Sequence, residues 1–168
     1  MATRKSTWII FGIFVISACF LESAIQAGAQ TSVINDAAAA WSSYDMEKVA
    51  SLYTDDIVYE DIAFGSIKRG KEELRAFIKE CFVMFSDWKT EVKSSVISGD
   101  WGYSEWIWSA THTGNHPKLP ATGKRFSIRG ASVYELKEGK IKRKTDYYNL
   151  VDFLQQIGIK LIPAPPPK

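Results

Sequence analysis

The sequence predicts an α+β domain in which helices come first and a long, curved antiparallel sheet follows, wrapped on those helices as a cone-shaped α+β barrel. Three observations carry this. Residues 32–85 hold three segments with apolar residues at helical spacing, broken by one short alternating run. Residues 88–149 change to long alternating runs separated by turn residues. Helices segregated to one face of an antiparallel sheet form an α+β layer architecture. The chain also has 46% hydrophobic and 13% aromatic residues, with six Trp among them. That exceeds what a core of this size needs, and large rings also line small-molecule cavities.

The chain begins with Arg4 and Lys5 ahead of an apolar run from Trp8 to Leu21. The run is about 14 residues, short of the ~20 that span a bilayer. Ala27-Gly28-Ala29 fits a small-x-small cleavage site, so residues 1–29 read as a signal peptide and the mature chain starts at Gln30, secreted or periplasmic. Ile16-Ser17-Ala18-Cys19 offers a competing lipobox, which would anchor the protein to a membrane through a lipid on Cys19. The domain spans residues 30–160, and the proline-rich tail 161–168 has nothing to bury and is expected to be disordered.

Within the domain, Ser32 to Tyr44 reads as a helix with Val33, Ala37, Ala40, Trp41 and Tyr44 near one face. Asp45 can cap a second helix, Met46 to Tyr53, ended by Thr54-Asp55-Asp56. Ile57 to Asp61 alternates as a strand, and Gly65 to Gly70 reads as a turn and brief return strand. Lys71 to Phe85 carries the buried stripe Leu74, Phe77, Ile78, Cys81, Phe82 and Phe85. Strands follow at Trp88–Ile97, Trp101–Thr113, Lys124–Leu136 and Lys140–Asn149, the last two joined at Glu138-Gly139. Leu150 to Ile157 closes the domain as a short helix stopped by Gly158.

Composition excludes some functions. Net charge is +2, and +1 without the leader, which is no electrostatic footprint for nucleic acid. The basic run Lys140, Lys142, Arg143 and Lys144 reads as a solvated strand face. Two cysteines, Cys19 and Cys81, exclude a disulfide framework and a cysteine-based metal site, and Cys81 belongs to the core pattern. His112, His116 and Asp61 lack the close spacing that metal ligation favours, so no metal or other cofactor is expected.

The polar residues of the strand region supply the candidate chemistry. Asp146 ends the last strand beside Tyr147 and Tyr148, just before an apolar helix. An apolar, aromatic setting suits a carboxylate acting as general acid/base, while the same residue could instead cap the Leu150 helix or pair with a lysine. With Glu138 and Gly139 as turn residues, Asp146 falls opposite Ala131 and beside Ser132; a one-residue bulge would change that. His112 shares strand parity with Trp106 and Trp108. Its strand runs parallel to that of Asp146 with one strand between, ~10 Å apart, so the two side chains could meet through a water or substrate, or His112 could be satisfied by loop backbone. His116 is expected to be exposed. Tyr59 and Asp61 share one face of the first strand, Asp61 being a second cavity acid or a turn residue. Trp41 and Phe77 line the inner layer, and Trp106, Trp108, Ser132 and Tyr148 complete the candidates for substrate contact.

Several patches in order resemble one family. AWSSYDMEKVASLYTDDIVYED is similar to its opening helices and first strand, and GSIKRGKEELRAF to its entry to the third helix. THTGNHPKLPATGKRFSIRG is similar to its strand-loop-strand signature, and EGKIKRKTDYYNLVDFLQQIG to its ending. Together, over residues 37–158, they resemble the SnoaL-like polyketide cyclases, also called ester cyclases, of the nuclear transport factor 2-like superfamily. The resemblance implies a metal-free cavity enzyme that closes a ring by intramolecular aldol condensation of a polyketide ester, with Asp146 as general acid/base. It also implies a possible homodimer through the open sheet face. Where those cyclases place a histidine beside the catalytic aspartate, this chain has Ser132. The Arg-x-Asp strand motif of limonene epoxide hydrolases is absent. The reading is therefore a cyclase or isomerase acting on a hydrophobic carbonyl substrate, or a secreted module that binds a hydrophobic ligand without catalysis.

Overall fold

The computed structural model describes residues 33–116 and 119–160. The expected leader and cleavage site, Cys19 and the expected disordered tail lie outside the described residues. Residues 33–42 form helix α1, followed by α2 (Met46–Ser51), β1 (Tyr53–Asp61), β2 (Ser66–Arg69), α3 (Gly70–Met84), β3 (Phe85–Ser98), β4 (Trp101–His112), β5 (Arg125–Lys137), β6 (Lys140–Tyr148) and α4 (Leu150–Gln156). The architecture is α+β with one curved, unclosed six-stranded sheet in the order β2-β1-β6-β5-β4-β3.

Local chemistry explains most of these elements. The Asp45 side chain accepts from the Lys48 N–H and caps α2, as its position predicts. In α3, Leu74, Ile78 and Cys81 are buried at i, i+4 and i+7, while Glu72 and Glu73 stand in the first turn, where acidic groups complement the helix dipole. In β4 the even positions from Gly102 to His112 are buried, and Trp101 and Tyr103 are exposed on the convex side. Glu138 and Gly139 both adopt positive φ, 51° and 73°, the backbone a two-residue hairpin of this twist requires.

Three features depart from the pattern-based expectation. Helix α2 stops at Ser51, and Tyr53 already belongs to β1. Long-range pairing decides this: Tyr53 pairs with Ile141 of β6, and the Leu52 carbonyl accepts the Ile141 N–H at 2.9 Å. Second, β1 joins the meander by a parallel pairing to β6, the other four ladders being antiparallel. Third, a register shift between Glu135 and Leu136 moves the β5–β6 pairing by one residue, so Asp146 lies opposite Ser132 and not Ala131.

The interior has two apolar clusters. One joins α1, α2, α3 and β1 through Ile34, Trp41, Val49, Tyr53, Ile57, Leu74 and Ile78. The other joins β3, β4, β5 and α4 through Phe85, Trp106, Trp108, Phe126, Ile128 and Phe153. Trp88 packs against both, stacked on Trp41 at 4.9 Å and tilted against Trp108 at 4.5 Å.

Candidate active site

Strand pairing aligns the polar residues of the concave face in two adjacent rows. One row runs Ser66, Asp61, Asp146, Ser132, Ser104 and Ser95 across all six strands. The next runs Lys68, Tyr59, Lys144, Tyr134 and Gly102. Residues two apart on a strand share a face, so both rows point inward. Of these, Ser66, Asp61, Asp146, Lys68, Tyr59, Lys144 and Tyr134 line a cavity of about 630 Å³, within the range typical of small-molecule sites. Its walls are formed by Trp41, Phe77, Trp88, Trp106, Trp108 and Phe85, and its rim by Phe64, Ser66, Glu80, His116 and Ile159.

Asp146 is the hub of these rows. Its Oδ1 accepts from the Ser132 hydroxyl at 2.5 Å. Its Oδ2 accepts from the Tyr59 hydroxyl at 2.5 Å and from the Lys144 ammonium at 2.9 Å. A carboxylate offers about four acceptor directions, so one remains on Oδ1. Ser132 is held in turn by the Trp106 indole N–H, which donates to its Oγ at 2.8 Å. An indole N–H can only donate, so Ser132 accepts it and turns its own proton to Asp146. The Trp106 ring lies directly over Gly130, where a Cβ would come within 2.2 Å of it. Glycine is therefore the residue that admits this ring and, through it, the Trp106–Ser132–Asp146 chain.

Asp61 stands directly beside Asp146 in the β1–β6 register. Its Oδ2 accepts from the Tyr148 hydroxyl at 2.8 Å and its Oδ1 from the Phe64 N–H at 3.0 Å. Burial pushes the Asp61 carboxyl above its ordinary value and the nearby Asp146 adds to this, while the Phe64 N–H, the Tyr148 hydroxyl and Lys144 oppose it. Tyr59 and Tyr148 are likewise raised, first by burial and then by the aspartates. Burial works against the charge of Lys144, but Asp146 and the neighbouring tyrosines outweigh it and hold the ammonium above the ordinary lysine value.

Of the residues singled out from sequence, Asp146, Tyr59, Asp61, Trp41, Phe77, Trp106, Trp108 and Tyr148 all line the cavity. Ser132 is buried behind Asp146. The structure does not bring His112 to Asp146. The Asp146 row crosses β4 at Ser104, eight residues from His112, about 26 Å of strand. His112 is wholly buried, its ring 5.5 Å from Phe85 and its Nδ1 3.3 Å from the Thr122 hydroxyl, and burial pushes its pKa down. His116 is half-buried on the cavity rim, where exposure was expected.

Lys144 corrects the reading of the basic run as a solvated face. Its side chain is 13% exposed and points inward. Its signal was present, because it stands two residues before Asp146 and so shares its face. Trp88, Tyr134 and Lys68 also line the cavity unforeseen.

A curved sheet over helices, with a cavity whose acids stand on β1 and β6, defines a cone of the ketosteroid isomerase-like type. Solved structures share it. A protein with this fold from Catenulispora acidiphila, solved with trimethylamine, is 21% identical, with a TM-score of 0.69 over 76% of this chain and 93% of its own. A putative polyketide cyclase from Pseudomonas putida is 24% identical, with a TM-score of 0.66 over 76% and 96%. An LEH-like epoxide hydrolase from M. tuberculosis is 17% identical, with a TM-score of 0.64 over 79% and 91%. Comparison with curated protein sequences gave no match. The sequence profile of the SnoaL-like polyketide cyclases matches residues 31–157, and the chain belongs to that family. Membership supports a function of the cyclase or isomerase type.

Proposed function

We propose that this protein, exported from the cytoplasm, is a cofactor-free cyclase or isomerase for a hydrophobic carbonyl compound of the polyketide-ester kind, with Asp146 as general acid/base. The observation that carries the reading is the cavity-lining Asp146 carboxylate, oriented by Ser132, Tyr59 and Lys144 with one acceptor direction left. The family's histidine position is filled by Ser132, and the Trp106–Ser132 chain takes over the orienting task.

In the proposed reaction, Asp146 takes a proton from a carbon alpha to a carbonyl, and the C–H electron pair moves into the enolate. A hydrogen-bond donor must face the developing enolate oxygen. Asp61 in its protonated form is the donor at hand, and burial beside Asp146 raises its pKa in that direction; the Tyr148 hydroxyl, which donates to Asp61, holds it in place. For cyclisation the enolate carbon attacks a second carbonyl in the same molecule, a C–C bond forms, and the new alkoxide takes the proton back from Asp146. For isomerisation the proton returns to another carbon of the same conjugated system.

The test is Asp146→Asn, read by α-hydrogen exchange of ethyl benzoylacetate in deuterium oxide. A general base in this position contributes about 10²- to 10⁴-fold, and a loss of that size is expected. Exchange unchanged in the variant, or no faster than buffer in the wild type, overturns the reading. One observation favours the second reading, a non-catalytic carrier of hydrophobic ligands: Asp146 is already matched to Lys144, as in a structural ion pair. Native mass spectrometry showing a copurified ligand, together with no catalysed exchange, would select it.

A further inference from the structure

Two charged groups of the cavity lining, Lys68 and Glu80, are not used by the chemistry above. Lys68, on edge strand β2, lines the cavity, and its Nζ sits 5.7 Å from the centroid of the Phe77 ring. Among the described residues its ammonium forms no ion pair, whereas Lys144 is matched by Asp146 at 2.9 Å. Asp61 is engaged by Tyr148 and by the Phe64 N–H. The remaining charge on the lining is Glu80, which is exposed at the rim. From Lys68 an unbroken series of rings leads inward: Phe77 to Trp41 at 6.2 Å, Trp41 to Trp88 at 4.9 Å, and Trp88 to Trp108 at 4.5 Å. Ser66, two residues before Lys68 on the same face of β2, adds a hydroxyl to the mouth.

We infer that the cavity takes an amphipathic aromatic acid, with its carboxylate on Lys68 and Ser66 at the mouth and its rings along Phe77, Trp41 and Trp88. This rests on the reading of the cavity as a ligand site and adds the charge and direction of the ligand. An apolar body is served by the aromatic wall, and a unit negative charge by Lys68, which has no ion pair among the described residues. A carboxylate suits the mouth better than a phosphate dianion, which would meet Glu80 with twice the charge. The bound acid points its far end along the wall, and its flank passes the Asp61–Asp146 row, which adjoins the Lys68 row across β2, β1 and β6.

The experiment compares binding of β-naphthoate and of its uncharged methyl ester by tryptophan fluorescence at low salt. A hydrogen-bonded contact to a charged partner is worth about tenfold or more in affinity. The acid is expected to bind the wild type at least about tenfold tighter than the ester, with the advantage shrinking as salt is added. Lys68→Gln should remove that advantage while the ester changes less than about twofold. Lys68→Glu should turn the preference toward β-naphthylmethylammonium, and Lys68→Arg should retain the acid. Equal affinities of acid and ester in the wild type, or a Lys68→Gln that weakens both alike, overturn the inference and leave the cavity as a ligand site. Binding of neither probe overturns both. None of these readouts depends on turnover, so an inactive or unaltered Asp146→Asn bears on the reaction alone.

Discussion

The two ends of the concave face are built by the same strand alternation and hold opposite chemistry. At the β1–β6–β5 end the inward positions are Tyr59, Asp61, Lys144, Asp146 and Ser132, each tied to a polar partner. At the other end, formed by β3, β4, the start of β5 and α4, they are Phe85, Trp108, Phe126 and Phe153, in edge-to-face contacts of 4.6–6.1 Å with one stacked pair. His112 belongs to the aromatic end, packed on Phe85. The difference teaches that sharing a face of the sheet does not make two residues partners. Their separation along the strands decides whether they share an environment.

The sharpest way to break this contrast is to unbalance the polar end. Lys144→Met removes a cation matched to Asp146 and leaves a buried carboxylate without its counter-charge. A loss of about 3–5 kcal/mol is expected on denaturant unfolding. A loss under about 1 kcal/mol would show that the pair is effectively solvated and the polar end no different from surface.

A smaller effect separates the two acids. The folded-state pKa of Asp61 is raised, so folding favours its protonated form, and the stability linked to that form is complete below the ordinary carboxylate value near 3.8 and is lost as pH rises through the folded value. Asp61→Asn removes the ionisation while keeping an acceptor for the Phe64 N–H. Its Tm should exceed that of the wild type at neutral pH, and the gap should close toward pH 3. A variant less stable than the wild type at neutral pH contradicts this account of Asp61. The smallest effect is expected at the aromatic end. His112→Phe keeps the ring against Phe85 and gives up the 3.3 Å contact to Thr122 and a hydrogen bond to the Leu119 backbone. Any catalysed exchange should change less than about twofold, with an unshifted pH profile; a large loss or a shifted profile would place His112 in the chemistry after all.

The contrast also shows what was legible beforehand. Period-two alternation marks which face a residue takes, so Tyr59 with Asp61, and Trp106 with Trp108, were readable as inward sets. The same rule reaches Lys144 from Asp146, yet a run of four basic residues in five positions read as solvated. Parity carries no information about height in the sheet. Strand count allows His112 to meet Asp146 through a water or substrate, and the stagger of β4 against β6 moves it eight residues away. The Ala131-or-Ser132 ambiguity had the same origin, settled by the shift between Glu135 and Leu136.

The sequence by itself determined the α+β class, the order of helices and strands, the Glu138-Gly139 hairpin and which residues of β1 and β4 share a face. These follow from local spacing, capping and turn chemistry, which act over a few residues. The tertiary structure alone decided that β1 joins β6 in parallel, that Asp61 stands beside Asp146, that Ser132 hands its proton to Asp146 because Trp106 occupies its lone pair, and that Lys144 is buried. Each depends on register and packing between strands that are distant in the chain, where one bulged residue exchanges every cross-strand partner that follows it.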